Sequence, residues 1–233
     1  MRRSFEKEMM DLPGNPPALL EEDLLHLRTL NRNLGAYRGL LQCLASWVRA
    51  HGGASISLLD VGTGCGDIPV ALVEWGKRHG VPVRVVGLDP NPIAARLART
   101  RTQDFPEISI VMGNAFEPPF RPPAFDFVLS SQVLHHFPDD EIVVLLRKWA
   151  TLASKGVLVS DLVRHPLAYA GILLVTRLLT RNPMTRTDGP LSVRRALTLK
   201  EWDRLFHRAA VGPFDLKRLF PFRVFALIRH GQP

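Results

Sequence analysis

Cysteine is nearly absent: the 233 residues contain only Cys43 and Cys65, far apart and without a CxxC spacing. That excludes a disulfide framework and a thiolate metal knuckle, and both thiols are expected to be buried and reduced. Long apolar runs are missing as well. The nearest to one, LAYAGILLVTRLL at residues 167–179, is too short to span a bilayer and carries an arginine near its end. The N-terminal MRRSFEKEMMDLPGNPP carries acids and no apolar core, so a secretory signal is not expected and a cytoplasmic location is. No GK[ST] follows a glycine loop, which removes a P-loop. No HxxxH and no converging Asp/Glu/His set is visible, so no metal is expected. The net charge of +8 is spread over scattered arginines, without a dense basic tract or aromatic platform. A nucleic-acid partner is therefore not expected.

What is present fits one sizeable domain. Apolar residues make up 46% and charged residues 22%, enough to bury a core without covalent staples. Pro13, Gly14, Pro16 and Pro17 mark residues 1–18 as a loose leader. Residues 19–49 repeat apolar positions at helical spacing, with a bend expected near Gly35 or Gly39. Short aliphatic runs then alternate with helical stretches. Strands are expected at 56–61, 83–88, 108–112, 125–130 and 156–161, with helices at 68–79, 92–102 and 139–151. Continuous aliphatic strands separated by helices predict an α/β fold, a parallel sheet covered on both faces. After residue 161 the rhythm changes: an apolar helix at 167–179, a polar loop RNPMTRTDGPLSVRR, and a helix at 199–208. Two runs at 211–219 and 222–229 are then expected to pair antiparallel at one sheet edge. LTLKE predicts a helix start capped by Thr198, with Glu201 three residues on.

The strongest local signal is LLDVGTGCGDIP, where a strand runs into Gly62, Gly64 and Gly66 and then a helix. Alternate glycines permit a tight turn and close ligand approach, and the helix start offers free amides. The spacing is DxGxGxG rather than the GxGxxG of a dinucleotide loop. Asp60 would repel pyrophosphate yet help organise the loop or receive an ammonium group. In VVGLDPNP, Asp89 ends the second strand, where a carboxylate can accept both ribose hydroxyls; Pro90 and Pro92 fix the chain beyond it.

With MGNAFEPPF and FDFVLSSQVLHHF, these motifs resemble the class I S-adenosylmethionine-dependent methyltransferases over residues 55–161. The resemblance implies a doubly wound seven-stranded, mostly parallel Rossmann-like sheet of order 3-2-1-4-5-7-6. Its units would be an N-terminal helical cap (1–50), a core binding S-adenosyl-L-methionine (51–161), an acceptor-site lid (162–198) and a closing helix and hairpin (199–233). It implies cofactor contacts from Asp60, Gly62, Thr63, Gly64, Gly66, Asp89 and Pro90, with Asn114, Ala115 and Phe116 at the adenine and Ser131 and Gln132 at the sulfonium end. Asn114 departs from the aspartate of many relatives; its amide oxygen can still accept from adenine N6. Less closely, SDLVRHPLAY and DGPLSVRRALT resemble small-molecule enzymes of bacterial secondary and quinone-type metabolism.

The expected reaction is methyl transfer to a small phenolic or polyketide-like acceptor, at a hydroxyl oxygen. The alternatives are an N- or C-methyltransferase and a noncatalytic binding protein of the same fold. His136 and His165 are the candidate bases, and Asp161 would orient an imidazole. His135 is expected to serve local structure. Arg164 has a surface role or meets an oxyanion; Arg186, Asp188, Arg194 and Arg195 fasten the lid, or Arg194 or Arg195 meets an anionic acceptor. Tyr169, Ile172, Leu173 and Thr176 share one helical face suited to roof the acceptor pocket. The opposite apolar face would need the core, a second subunit (a homodimer) or a membrane surface, without stable membrane insertion.

Overall fold

A computed structural model describes residues 1–51 and 55–229. Residues 52–54 of the expected core unit and 230–233 of the closing unit lie outside the described residues. The sheet has seven strands in the order β3-β2-β1-β4-β5-β7-β6, as the motifs imply. β1 (Ile56–Val61), β2 (Val83–Asp89), β3 (Ile108–Met112), β4 (Phe125–Ser131) and β5 (Ala153–Leu162) run parallel. β6 (Phe214–Leu219) and β7 (Arg223–Arg229) form an antiparallel hairpin, and β7 pairs antiparallel with β5. β5 is longer than the aliphatic run suggests because β4 pairs with it from Ala153 and β7 as far as Leu162.

Both faces of the sheet are covered, as continuous aliphatic strands require. α2 (Ala36–His51) and α3 (Asp67–His79) close one face over Leu58, Val85 and Phe127. α5 (Asp139–Leu152) and α8 (Leu199–Ala209) close the other, where Trp149 and Trp202 are fully buried. Such a side chain contributes about 2 kcal/mol by burial. α8 starts with the expected capping box between Thr198 and Glu201. α4 (Pro92–Thr102) starts on an Asn91 side-chain cap and follows β2. α1 (Pro17–Asn33) ends at Leu34, and Gly35 at φ +73° turns the chain into α2.

Two segments differ from expectation. The polar stretch after residue 180 is not a loop but a helix, α7 (Pro183–Arg195). Asn182 caps it by accepting from the amides of Met184 and Thr185, and Pro183 sits where a missing N–H costs nothing. Pro190 is tolerated inside it because Met184, Thr185, Leu191 and Val193 are buried. The leader is not loose either. Ser4 N–H donates to Arg194 O, and Asp188 accepts from the amides of Met9 and Met10 as the chain makes a 3-10 turn at Met9–Asp11. Both errors share one cause: acids and prolines read locally as breakers find partners across the fold.

α6 (Pro166–Leu179) packs against α7. Of the four expected inward residues Thr176 is fully buried, and Tyr169, Ile172 and Leu173 are half-buried. A Cβ on Gly189 of α7 would touch Thr176 and Ile172, so this face meets α7.

Candidate active site

A cavity of about 550 Å³ opens at the C-terminal ends of β1, β2 and β4, the usual crevice of an open α/β sheet. Gly62, Thr63 and Gly64 form one wall, with Asp89 and Pro90 beside them. Gly62 has φ +74°, and a Cβ there would lie 2.3 Å from Val133 Cγ2. At Gly64 (φ +55°) a Cβ would meet only Leu24 Cδ2, at 3.7 Å, so its absence opens room in the cavity. Gly64 N–H donates to Asp89 Oδ2 and Asn91 N–H to Asp89 Oδ1. The Asp89 carboxylate is thus clamped at the strand end, each oxygen keeping a lone pair for a further donor. Burial pushes its pKa up, offset by those two amides.

The remaining motif residues divide between the cavity and its support. Ser131 and Gln132 line it at the end of β4. Gln132 adopts φ +57°, a left-handed conformation uncommon outside glycine, and its N–H donates to Ser160 O. Asp60 and Gly66 stand behind the wall. Asp60 accepts from Thr63 Oγ1 at 2.8 Å, and burial pushes its carboxyl up to about 7. Gly66 has φ +75° and precedes α3. Asn114, Ala115 and Phe116 do not reach the cavity lining: Asn114 Oδ1 accepts from Phe116 N–H, and Ala115 O accepts from Trp149 Nε1–H.

The histidine pair turns into the cavity where the leader and α7 meet. His135 Nδ1 lies 2.6 Å from Asp161 Oδ1, both side chains almost completely buried. Its Nε2 faces Glu8 Oε1 at 3.6 Å. Burial alone would lower the His135 pKa, but Asp161 and Glu8 outweigh it and push it up to about 10. The two carboxylates thus favour the protonated ring. His136 is oriented in the same sense: Nδ1 lies 2.9 Å from Asp11 Oδ2, and Nε2 3.8 Å from Glu8 Oε2. Glu8 is 1% exposed, and burial, which raises a carboxyl, is overcome by the two imidazoles, leaving its pKa lowered. Arg195 completes the cluster, with Nε 3.7 Å from Glu8 Oε1 and Nη2 donating to His136 O.

The expectation that no Asp/Glu/His set converges needs correction, because Glu8, His135 and His136 lie close enough together to surround a cation. The sequence hid this because Glu8 lies more than a hundred residues from the pair. A metal ion there would have to displace the His135 proton and tolerate the Arg195 guanidinium; the proton and Arg195 already balance Glu8 and Asp161.

The other candidates lie elsewhere. His165 is outside the cavity lining: its Nδ1 accepts from Leu167 N–H as the cap of α6, and its ring stacks on Phe222. Asp161 meets His135, not His136. Arg164 forms a bidentate pair with Glu201 and donates to Ala196 O. Sequence reasoning missed Glu8, Asp11, Arg28 and Asp67, which all line the cavity. Asp67 had a signal, following the glycine loop directly. Glu8 and Asp11 had only their place among Met9, Met10 and Leu12.

The family model described as the methyltransferase domain matches residues 58–156. A demethylmenaquinone methyltransferase of Bacillus licheniformis is 31% identical over 42% of this chain and 40% of its own. An uncharacterized methyltransferase of Geobacillus is 29% identical over 42% of this chain and 43% of its own. The chain thus aligns with less than half the length of these curated relatives. Among solved structures, the plantazolicin methyltransferase BamL, in complex with triazolic desmethylPZN analog and SAH, superposes with a TM-score of 0.68 at 14% identity. The alignment covers 93% of this chain and 97% of that one. The protein has the class I methyltransferase fold, and its residues 58–156 match the methyltransferase domain model.

Proposed function

We propose that the protein is an enzyme that transfers a methyl group from S-adenosylmethionine to a small acceptor, at a hydroxyl oxygen. The observation that carries this reading is the clamped Asp89 facing an open Gly64 wall, in a cavity that continues to an oriented imidazole. The glycine wall leaves space that a side chain would fill, and the Asp89 oxygens suit the two hydroxyls of a ribose. At the amino-acid end, Asp67 suits the ammonium and Arg28 the carboxylate, both lining the same cavity. Bound S-adenosylmethionine supplies an electrophilic methyl group.

The residues around His136 divide the remaining work. Asp11 and Glu8 orient the His136 imidazole at the cavity wall, and His136 takes the proton of an acceptor hydroxyl. His135, buried between Asp161 and Glu8, does not contact the acceptor but places positive charge beside His136, which favours negative charge developing on the acceptor oxygen. Asp161 fixes the His135 ring, and Arg195 fixes the backbone carbonyls of both histidines. Acceptors that ionise readily, phenolic or polyketide-like, fit this arrangement. His165, as the cap of α6, has no part in this scheme.

The test is a cofactor-dependent screen of phenols, hydroxyquinones, polyketides and small amines, read by methylated-product mass. An O-methylated product supports the reading. Tight S-adenosylmethionine binding without S-adenosylhomocysteine formation across the panel overturns it in favour of a noncatalytic binder, and methylated amines alone would move the acceptor atom to nitrogen.

A further inference from the structure

α6 leaves an apolar face uncovered. Leu167, Leu174, Leu178 and Leu179 are 66%, 60%, 73% and 73% exposed. Leu167, Gly171, Leu174 and Leu178 follow one another at four- and three-residue steps and so share one stripe. A Cβ at Gly171 would meet nothing within 4 Å, so the stripe faces open space along its length.

The segment that carries the stripe has charge of one sign, although Glu22 of α1 meets Asn182 just beyond its end. Residues 162–187 contain Arg164, Arg177, Arg181 and Arg186 and no aspartate or glutamate. Arg164 is neutralised by Glu201. Arg186 donates to the carbonyls of Thr180 and Arg177. Exposed Arg177 and Arg181 have no carboxylate partner among the described residues. A two-fold self-interface on this face would set these arginines against their own copies without an acid on the segment to pair them. A lipid surface satisfies both features: leucines enter the acyl boundary while arginines on long stems stay at anionic headgroups. No helix among the described residues is long and apolar enough to cross a membrane, so the contact would be a helix lying in the interface.

We infer that α6 docks the protein on an anionic lipid surface, with Leu167, Leu174, Leu178 and Leu179 buried in the interface and Arg177 and Arg181 at the headgroups. This contact is separate from the methyl-transfer cavity, whose lining contains no residue of α6.

The experiment is vesicle flotation of the full chain with phosphatidylglycerol–phosphatidylcholine vesicles and with pure phosphatidylcholine. Binding should require the anionic lipid and fall with salt. L174D/L178D should weaken it by about a hundredfold. R177Q/R181Q should weaken it by about fivefold per arginine. Gly171→Leu, which adds apolar surface to the open stripe, should strengthen it. S-adenosylmethionine affinity, measured on each variant, should stay constant, which separates this contact from the cavity. No flotation, equal flotation on neutral vesicles, or indifference to these substitutions would overturn the inference. So would sedimentation showing a dimer that L174D/L178D converts to monomer, which would assign the face to a second copy.

Discussion

Asp89 and His135 line the same cavity, but they arrive there by different routes. Asp89 sits one strand and one helix after the glycine loop, and its clamp is made by Gly64 and Asn91. His135 depends on Asp161 from β5, Glu8 from the leader and Arg195 from α7. The first end of the cavity is short-range and carried by backbone geometry. The second is assembled from four distant segments and held by buried charge. A cofactor site built on one turn can persist while acceptor chemistry changes through the segments packed above it.

Substitutions at the two ends should separate cofactor affinity from stability. Asp89→Ala removes the carboxylate that orders Gly64 and that we propose meets the ribose; S-adenosylmethionine affinity should fall by about a thousandfold in calorimetry, the loss of two charge-assisted hydrogen bonds. Glu8→Gln leaves that affinity unchanged while costing about 3 kcal/mol in denaturant unfolding, because it breaks a buried charge cluster. It should also move the alkaline limit of stability. The His135 pKa is raised on folding, so its contribution is complete below its ordinary value of 6.5 and is lost as pH rises through about 10. Without Glu8 that loss should begin at lower pH in thermal melts.

Smaller effects sharpen the same division. Gly62→Ala places a Cβ 2.3 Å from Val133 Cγ2 at φ +74°, and should cost about 2 kcal/mol with some loss of cofactor affinity. Thr198→Ala, in the α8 capping box away from both ends, should cost about 1 kcal/mol and leave affinity and turnover alone. An effect of Thr198→Ala on turnover would show that the two ends are not independent of the closing helix.

What the sequence made legible follows the same line. The strands, the glycine loop and Asp89 were readable because each rests on a pattern within about thirty residues: aliphatic runs, alternate glycines, an acid at a strand end; the strand order followed from the family resemblance. The α8 cap was readable for the same reason. The acceptor end was not. Glu8 and Asp11 looked like charges in a proline-rich leader, and Asp188 and Arg195 like members of a polar loop. Their meaning comes from contacts such as Asp188 to the Met9 and Met10 amides and Arg195 to the His136 carbonyl. The sequence gives no sign of how close the two histidine rings come. The short 3-10 turn at Leu134–His136 sets them 4.4 Å apart and tilted by 32°.

The central claim is that this pair works on the acceptor and not on the cofactor. The most direct measurement is kcat together with S-adenosylmethionine Kd for His136→Ala, on an acceptor identified by product mass. The account predicts that kcat falls by at least about a hundredfold while Kd is unchanged. Near-normal kcat, or a loss that appears in Kd instead, would contradict it.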